Sequence, residues 1–310
     1  MALQTSGSIS LNDIHIEVGG SSGSLVTIND TDVRGLLSKS SNAQSSINEF
    51  YGAAAETSLG SAGNVNGQAQ RQQISVSSFI SSGETLRIPS NMWVWSDSTS
   101  TAALTINIPC TVVIEGKVIG KGGNGGNGFY SAPTAGGPAI NVTSSGVTIQ
   151  VASGGYIAGG GGGGSSWQDF SNPSDAHAGG GGGSGGGNGG TGRVNQGYWQ
   201  AGVGGALNAS GTTGGNGYAS AGQGGGAGGG HGGQQFGGGG GGRILPGTGG
   251  SPGGGSGGNA GTSSSGWVAG GGGGWGASGG PGRYGGAAGG AAITGTSRTL
   301  SNSGTIYGGT

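Results

Sequence analysis

The chain has 310 residues, of which 89 are glycine and 8 are proline, and only 7% are charged, with a formal net charge of −1. Disordered chains usually carry more charge or proline, and collagen needs a strict Gly-X-Y repeat, which runs of five or six glycines break. The ten Lys and Arg residues are scattered, which excludes a basic stripe that binds nucleic acid. The single cysteine, Cys110, excludes an intrachain disulfide, and the absence of a long apolar run predicts no membrane insertion.

Residues 1–60 have an ordinary composition and predict a small module. The alternation of Ile14, Ile16 and Val18 with polar residues predicts a short half-buried strand, and Asp30 stands where the N-cap of a short helix would lie. A unit of this size is only marginally stable alone, so we expect it to bury one face on another protein. The candidate attachment residues are Ile14, Ile16, Phe50 and Tyr51. The first six residues lack the features of a secretory signal, so we expect synthesis in a cytoplasm.

The next segments change from polar to strongly β. Residues 61–73 are polar and without pattern, which predicts a linker. From residue 74 to residue 120, runs rich in β-branched residues are separated by turn residues, which predicts a β-rich connecting domain. The runs are Ile74–Val76, Leu86–Ile88, Met92–Trp95, Leu104–Ile108 and Val112–Ile114.

One short motif recurs three times. It occurs at residues 116–122, 155–160 and 303–309, and each copy is a short β pattern around one inward isoleucine that runs directly into glycine. Recurrence of one unit is typical of stacked architectures. The glycine-rich region is therefore predicted to begin and end on the same β layer.

Glycine makes up about half of residues 159–290, in runs such as 159–164 and 270–274. Polyproline-II-type helices have three residues per turn and no internal hydrogen bonds. Glycine lets such helices pack side by side through N–H···O and Cα–H···O contacts. We therefore predict that residues 121–310 form a sandwich of packed polyglycine-II helices, with other residues on its outer faces and in end loops. The fold class is mainly β and polyglycine-II.

Aromatic residues interrupt the glycine tracts, and antiparallel helices would gather the interrupting loops at one end. Trp and Tyr are frequent interface hot spots, and antibody paratopes combine them with adaptable Ser, Asn and Gln. We interpret the loops at 165–178, 193–203 and 262–275 as a binding surface. Alternatively, individual aromatic residues cap the sandwich as a small satellite core. The candidate binding residues are Trp167, Phe170, Tyr198, Trp199, Phe236, Trp267, Trp275 and Tyr284.

No catalytic or metal-binding pattern stands out. Asp169 and Asp175 lie in one loop, and isolated surface carboxylates are far commoner than a glycosidase pair. His177 and His231 lack the companion ligands that a metal site needs. We expect no enzymatic activity, no metal and no cofactor.

The glycine tracts, aromatic loops and recurrent β motifs resemble the tail-fibre adhesins of T-even-related bacteriophages over residues 115–310. The opening stretch, residues 10–52, resembles a module found at the start of phage virion proteins. The resemblance implies a polyglycine-II sandwich that presents loops to a bacterial outer-membrane protein or surface glycan. It also implies attachment of the N-terminal module to a tail fibre or another virion protein, and a location in the virion after synthesis in the host cytoplasm.

Two other functions use the same scaffold. A structural virion protein, such as a collar, whisker or fibre component, needs no binding patch, and the bulky aromatic residues count against it. An ice-binding polyglycine-II protein needs a flat face of small residues and usually disulfides and a secretion signal, which this chain lacks.

Overall fold

The computed structural model is mainly β-strand with few helices. None of the helices in the described part of the chain is long and apolar enough to cross a membrane. The described residues are 3–37, 39–40, 43–53, 55–65, 68–127, 131–168, 176–180, 182–183, 185–190, 192–194, 197–199, 270–282 and 285–310.

The N-terminal residues fold into a small helical module. It contains helix α1 (Leu11–Glu17), helix α2 (Thr31–Gly35) and a 3-10 turn (Ile47–Phe50). Its core consists of the buried side chains of Leu3, Ile14, Val33 and Phe50. The backbone bond from Leu3 N–H to the Ala53 carbonyl joins the two ends of the module, which makes it a closed unit.

The predicted strand at Ile14, Ile16 and Val18 is wrong, because a capping box starts a helix there. The Ser10 side chain accepts a hydrogen bond from the Asp13 N–H, and the Asp13 carboxylate accepts one from the Ser10 N–H. These two bonds satisfy amides that a helix start otherwise leaves unpaired. The predicted short helix with Asp30 at its N-cap is confirmed as α2, which begins at Thr31.

The middle of the chain is a three-sided parallel β-helix, in which each of the first four coils contributes to all three sheets and the fifth coil contributes to two. Coil one contains β1 (Glu56–Ser58), the hairpin of β2 (Asn64–Val65) and β3 (Gln68–Gln72), and β4 (Ile74–Ser75), followed by a 3-10 turn (Val76–Ser78). Coil two contains β5 (Thr85–Ile88), β6 (Met92–Trp95) and β7 (Leu104–Ile106). Coil three contains β8 (Thr111–Ile114), β9 (Lys117–Ile119) and β10 (Ile140–Val142).

The last two coils enclose the glycine-rich insertion. Coil four begins with β11 (Val147–Val151) and β12 (Tyr156–Ala158), continues after the insertion with β17 (Ile293–Gly295), and leads to β18 (Arg298–Asn302) and β19 (Thr305–Tyr307) of coil five. The insertion itself contains four short strands, β13 (Trp167–Gln168), β14 (Ala176–Ala178), β15 (Gly192–Val194) and β16 (Gly197–Trp199). The C-terminal strands therefore complete a β-helix that the middle of the chain begins.

The β-helix core follows from the alternation of the sequence. Leu86, Val112 and Ile149 stand in register on neighbouring parallel strands, and all three are fully buried. Side chains at such positions stack above one another and remove apolar surface from water. Cys110 belongs to the same core, and burial raises the pKa of its thiol to about 11. The predicted β-rich stretch from residue 74 is confirmed as strands.

Two predicted boundaries do not match the structure. Residues 61–73 are not a linker, because β2 and β3 pair with each other and β3 pairs with β6. Residue 120 is not the end of the β domain, since β10, β11 and β12 belong to the same three sheets. The polar composition of residues 61–73 belongs to a hairpin at the edge of a sheet, where few side chains are buried.

The three copies of the recurrent motif are confirmed as neighbouring strands of one sheet. Ile157 of β12 stands between Val118 of β9 and Ile306 of β19, and all three point into the core. In the first copy the inward residue is thus Val118, while Ile119 lies on the outer face. All three strands lead directly into glycine, as the sequence predicted.

The glycine tracts pack as an array around one central tract, residues 159–165. Besides Tyr307 of β19, five segments in the described part of the chain exchange backbone hydrogen bonds with it: residues 120–126, 134–137, 270–276, 277–280 and 287–290. Gly180 and Gly183 approach it closely as a sixth neighbour. Glycines 159–164 are buried. We call these segments the glycine array.

Bonds to each neighbour recur at every third residue. The amides of Gly160 and Gly163 donate to residues 137 and 134, and those of Gly162 and Ser165 donate to residues 277 and 280. A chain with three residues per turn presents equivalent groups at this interval. Each side of the central tract therefore has its own neighbours, which satisfies backbone groups that have no partner within the tract.

The array has no room for a side chain at its centre. A Cβ added to any glycine from 159 to 164 would lie 1.9–2.1 Å from a backbone oxygen of another segment. Alanine occurs instead in the outer segments, where Ala287 is half-buried and Ala288 is exposed. The tracts are therefore glycine because their backbones touch.

The substitution Gly161→Ala should strongly destabilise the protein. Its Cβ would lie 2.1 Å from the Gly273 oxygen and 2.6 Å from the Gly274 oxygen, and overpacking of this kind typically costs about 1–3 kcal/mol. Thermal unfolding followed by circular dichroism would measure the loss. Gly285→Ala is the matched control, because its Cβ meets nothing within 4 Å, so its melting temperature should stay close to that of the wild type. Equal melting temperatures for the two variants would contradict the packing described here.

Candidate functional site

The glycine array has two different ends. At the proximal end it continues the β-helix: Gly120 N–H donates to the Ala158 carbonyl, and Gly159 N–H donates to the Tyr307 carbonyl. These bonds extend the pairing of β9, β12 and β19. The opposite, distal end is marked by the bond from Gly126 N–H to the Gly164 carbonyl.

The long connections of the chain leave and re-enter the array at its distal end. The central tract reaches this end at Ser165, and Gly270, which donates to the Ser165 carbonyl, begins the next long tract. At this end Gly180 N–H also donates to the Gly126 carbonyl, and Gly190 N–H donates to the Gly180 carbonyl. By contrast, the proximal connections are short turns, such as that at residues 274–277.

A small antiparallel sheet follows the distal end, with the order β13-β14-β15-β16. Backbone pairing aligns Gln168, His177, Arg193 and Tyr198 in one row across the four strands. Trp167 pairs with Ala178 at one edge. The sheet brings two of the predicted loops, at 165–178 and 193–203, next to each other.

Three of the eight predicted binding residues lie in this small sheet. Trp167 lies in β13, and Tyr198 and Trp199 lie in β16, where the structure describes the backbone. Four others lie outside the described residues, and their assignment stays a prediction; they are Phe170, Phe236, Trp267 and Tyr284.

Trp275 requires a correction, because its side chain is fully buried at the proximal end. Its ring packs edge-to-face on Tyr156 with centroids 6.5 Å apart, and Tyr156 contacts Tyr307 at 5.6 Å. Trp93 and Ile119 complete this junction cluster between the β-helix and the array. Trp275 is thus the satellite-core residue that the sequence left open as an alternative, and it is unavailable for binding.

The sequence analysis missed the partners of Trp275. Trp93, Trp95, Tyr156 and Tyr307 occupy outward positions of β6, β12 and β19, where a solvent-facing sheet would carry polar residues. Large aromatic residues at such positions were the available signal that something covers this face. The array covers it with Trp275.

Burial dominates the chemistry of the junction cluster. It raises the pKa of Tyr156 and lowers that of Lys117, whose Nζ lies 5.3 Å from the centre of the Trp93 ring. The Tyr156 hydroxyl and the Trp275 Nε1–H have no hydrogen-bond partner among the described residues. The cluster is therefore an apolar joint, stabilised by packing.

The predicted attachment residues divide into core and surface. Ile14 and Phe50 are fully buried in the module, so their side chains do not reach a partner. Tyr51 is half-buried and its hydroxyl donates to the Gly7 carbonyl at 2.6 Å. Ile16 is 47% exposed and is the predicted residue that is free for contact.

No group of three or more His, Cys, Asp or Glu side chains that could hold a metal occurs in the described part of the chain. Among the described residues, a ladder of ion pairs lies on the outside of the β-helix. Arg87 pairs with Glu56 at 2.5 Å and also with Glu115, and these partners raise its pKa. The ladder links three successive coils and has a structural role.

Trp275→Ala should weaken the fold without removing a binding contact. Truncation of a buried Trp typically costs about 3–5 kcal/mol, and Trp275→Phe should cost less because it retains a ring against Tyr156. Thermal unfolding, together with binding to bacterial cells as the resemblance implies, would separate the two effects. Loss of cell binding with an unchanged melting temperature would contradict a purely structural role.

Comparison with known proteins assigns the family. One solved structure, the crystal structure of the gp37-gp38 adhesin tip complex of the bacteriophage S16 long tail fiber, matches with 18% identity over 98% of this chain and 99% of that chain, with a TM-score of 0.45. No curated protein matches. The family described as phage tail fibre adhesin Gp38 matches residues 54–229, which is more than half of the chain. The chain therefore belongs to the Gp38 family of phage tail fibre adhesins.

Proposed function

We propose that this protein is the receptor-binding adhesin of a phage tail, with loops at the distal end of the glycine array as its binding surface. Family membership supports the adhesin role. The observation that carries the proposal is the difference between the two ends of the array: long connections lie at the distal end, and the β-helix occupies the proximal end. A binding surface at the far tip of a rigid support is the arrangement that host recognition needs.

The scaffold is a sandwich of polyglycine-II helices in this proposal. The three-residue repeat of the hydrogen bonds and the lack of room for a Cβ in the central tract support it. Backbone packing of this kind positions the loops, while the loops are free to vary in sequence. Binding then depends on side chains that the scaffold does not need.

The binding chemistry combines aromatic and polar groups. The aligned row consists of Gln168, His177, Arg193 and Tyr198, which are residue types that form hydrogen bonds, and the strands of the same sheet also contain Trp167 and Trp199. Such a combination binds an outer-membrane protein or a surface glycan by shape and hydrogen bonds, with little dependence on charge. The role needs no catalytic group, cofactor or metal.

The N-terminal module is the attachment unit in this proposal. It lies outside the residues that match the family and has its own core, so it can serve a partner different from that of the distal loops. That partner is a tail fibre or another virion protein, which places the adhesin in the virion.

Replacement of residues 169–175 by an equal length of Gly and Ser should abolish or change binding to host cells without unfolding the protein. The replacement spares β13 and β14, which continue the array, whereas deletion of all of residues 165–178 would remove the buried Ser165 and Ser166. Binding of purified protein to whole host cells measures the effect, and protease-treated or glycan-deficient cells distinguish a protein receptor from a glycan.

The control for this experiment lies in an exposed turn of the β-helix. Ser145→Ala, between β10 and β11, should leave cell binding unchanged. Wild-type protein that binds no host of the parent virus would favour a structural virion protein instead. Unchanged binding after the loop replacement would move the binding surface away from β13 and β14.

A further inference from the structure

The N-terminal module differs in charge from the rest of the chain. Residues 1–53 contain five Asp or Glu against two Lys or Arg, a formal charge of −3, while the remaining residues contain eight basic and six acidic side chains. The two basic groups of the module are both engaged. Arg34 is buried and bonds to Asn29, and Lys39 pairs with Glu49 at 2.5 Å. The surface of the module is therefore acidic.

An exposed apolar pair stands on this acidic surface. Leu25 is fully exposed and Ile16 is 47% exposed, whereas large apolar side chains in the described part of the chain are rarely so open. Ile16 follows Asn12 by one helical turn, so the two share a face of α1. The loop that carries Leu25 is fixed to this part of the helix, because Asn12 Oδ1 accepts a hydrogen bond from Gly23 N–H at 2.9 Å.

A second contact holds the loop in place. His15 Nε2 lies 2.8 Å from Ser24 Oγ, the residue next to Leu25. Leu25 therefore stands beside α1 on a loop that is bonded at two points. We call Asn12, Ile16 and Leu25 the apolar face of the module.

The module carries ionised carboxylates of its own. Asp13 on α1 and Asp30 before α2 both have lowered pKa values, because each accepts hydrogen bonds from a neighbouring Ser or Thr. A cleft of about 480 Å³ lies between the module and the first coils of the β-helix. Its lining includes the carboxylates of Asp32 and Glu56, and its one guanidinium, Arg87, is neutralised by Glu56 and Glu115.

We propose that the apolar face of the module docks on another virion protein whose contact surface is apolar and rimmed by Lys or Arg. The inference rests on the proposed attachment function and adds the contact residues and the chemistry of the partner. Charge complementarity selects this partner, because an acidic surface repels a second copy of itself and attracts Lys or Arg. Asp13 lies about one helical turn from Ile16, and Asp30 interacts with the charge of His15, which contacts the loop that carries Leu25. Ile16 and Leu25 supply the apolar contact at the centre.

The test uses phage particles of the parent virus assembled without this protein, to which full-length purified protein is added. Wild-type protein should bind the particles, and binding should weaken as salt rises from about 50 mM to about 500 mM, because salt screens the rim charges. The double variant Ile16→Ser with Leu25→Ser should bind at least about tenfold more weakly, as expected for central apolar contacts. Asp30→Asn should weaken binding moderately and reduce its dependence on salt.

Ile47→Ser is the matched control, because Ile47 is another exposed apolar residue of the module, at 37%, and lies outside the apolar face. It should bind like the wild type. The proposed face would be overturned if the Ile16/Leu25 double variant bound the particles like the wild type, or if the Ile47 variant lost binding. Binding that is indifferent to salt and to Asp30→Asn would overturn the basic rim. If wild-type protein fails to bind such particles, the attachment function falls as well, whereas cell binding by the distal loops stays a separate result.

Discussion

Contact between backbones without intervening side chains is the constraint on which this protein depends. A typical buried core is held by apolar side chains, whereas the centre of the glycine array is held by hydrogen bonds and close contacts between main chains. Each hydrogen bond makes a net contribution of only about 1 kcal/mol to stability, whereas an unsatisfied buried amide costs about 1–3 kcal/mol. The array is therefore stable only when every tract has its neighbours, which makes it cooperative and intolerant of added side chains.

The β-helix solves the problem of alignment. Glycine tracts have no side chains to specify register, and a shift by three residues would preserve the hydrogen bonding. The pairing of β9, β12 and β19 removes this freedom, since the tracts that begin at Gly120 and Gly159 continue β9 and β12 directly and Gly159 bonds to Tyr307 of β19. The junction cluster around Trp275 adds a side-chain contact at the same place. Ordered strands thus position a region whose own sequence carries little positional information.

Local patterns predicted the strands well because alternation and β-branched residues report burial directly. The recurrent motif even placed β9, β12 and β19 on one layer, since copies of one unit tend to stack. Patterns failed where a competing signal was short or distant. The capping box of Ser10 and Asp13 starts a helix despite three alternating apolar residues. Trp275 could not be distinguished from the loop aromatic residues, because its neighbours Tyr156 and Tyr307 are distant in sequence. The distal loops stay predictions, because glycine-rich sequence around them gives no register.

Function follows from the separation of these parts. Acidic and apolar side chains characterise the N-terminal module, stacked apolar residues form the β-helix, and the array carries long connections away from both. Hydrogen–deuterium exchange of the intact protein, read at the peptide covering residues 159–166, tests this account most directly. The account predicts slow exchange there, comparable to that of Val147–Val151 in β11, because the amides of Gly160, Gly162 and Gly163 donate to neighbouring tracts. Exchange at the rate of an unstructured chain would contradict the packed array and the rigid display of the loops.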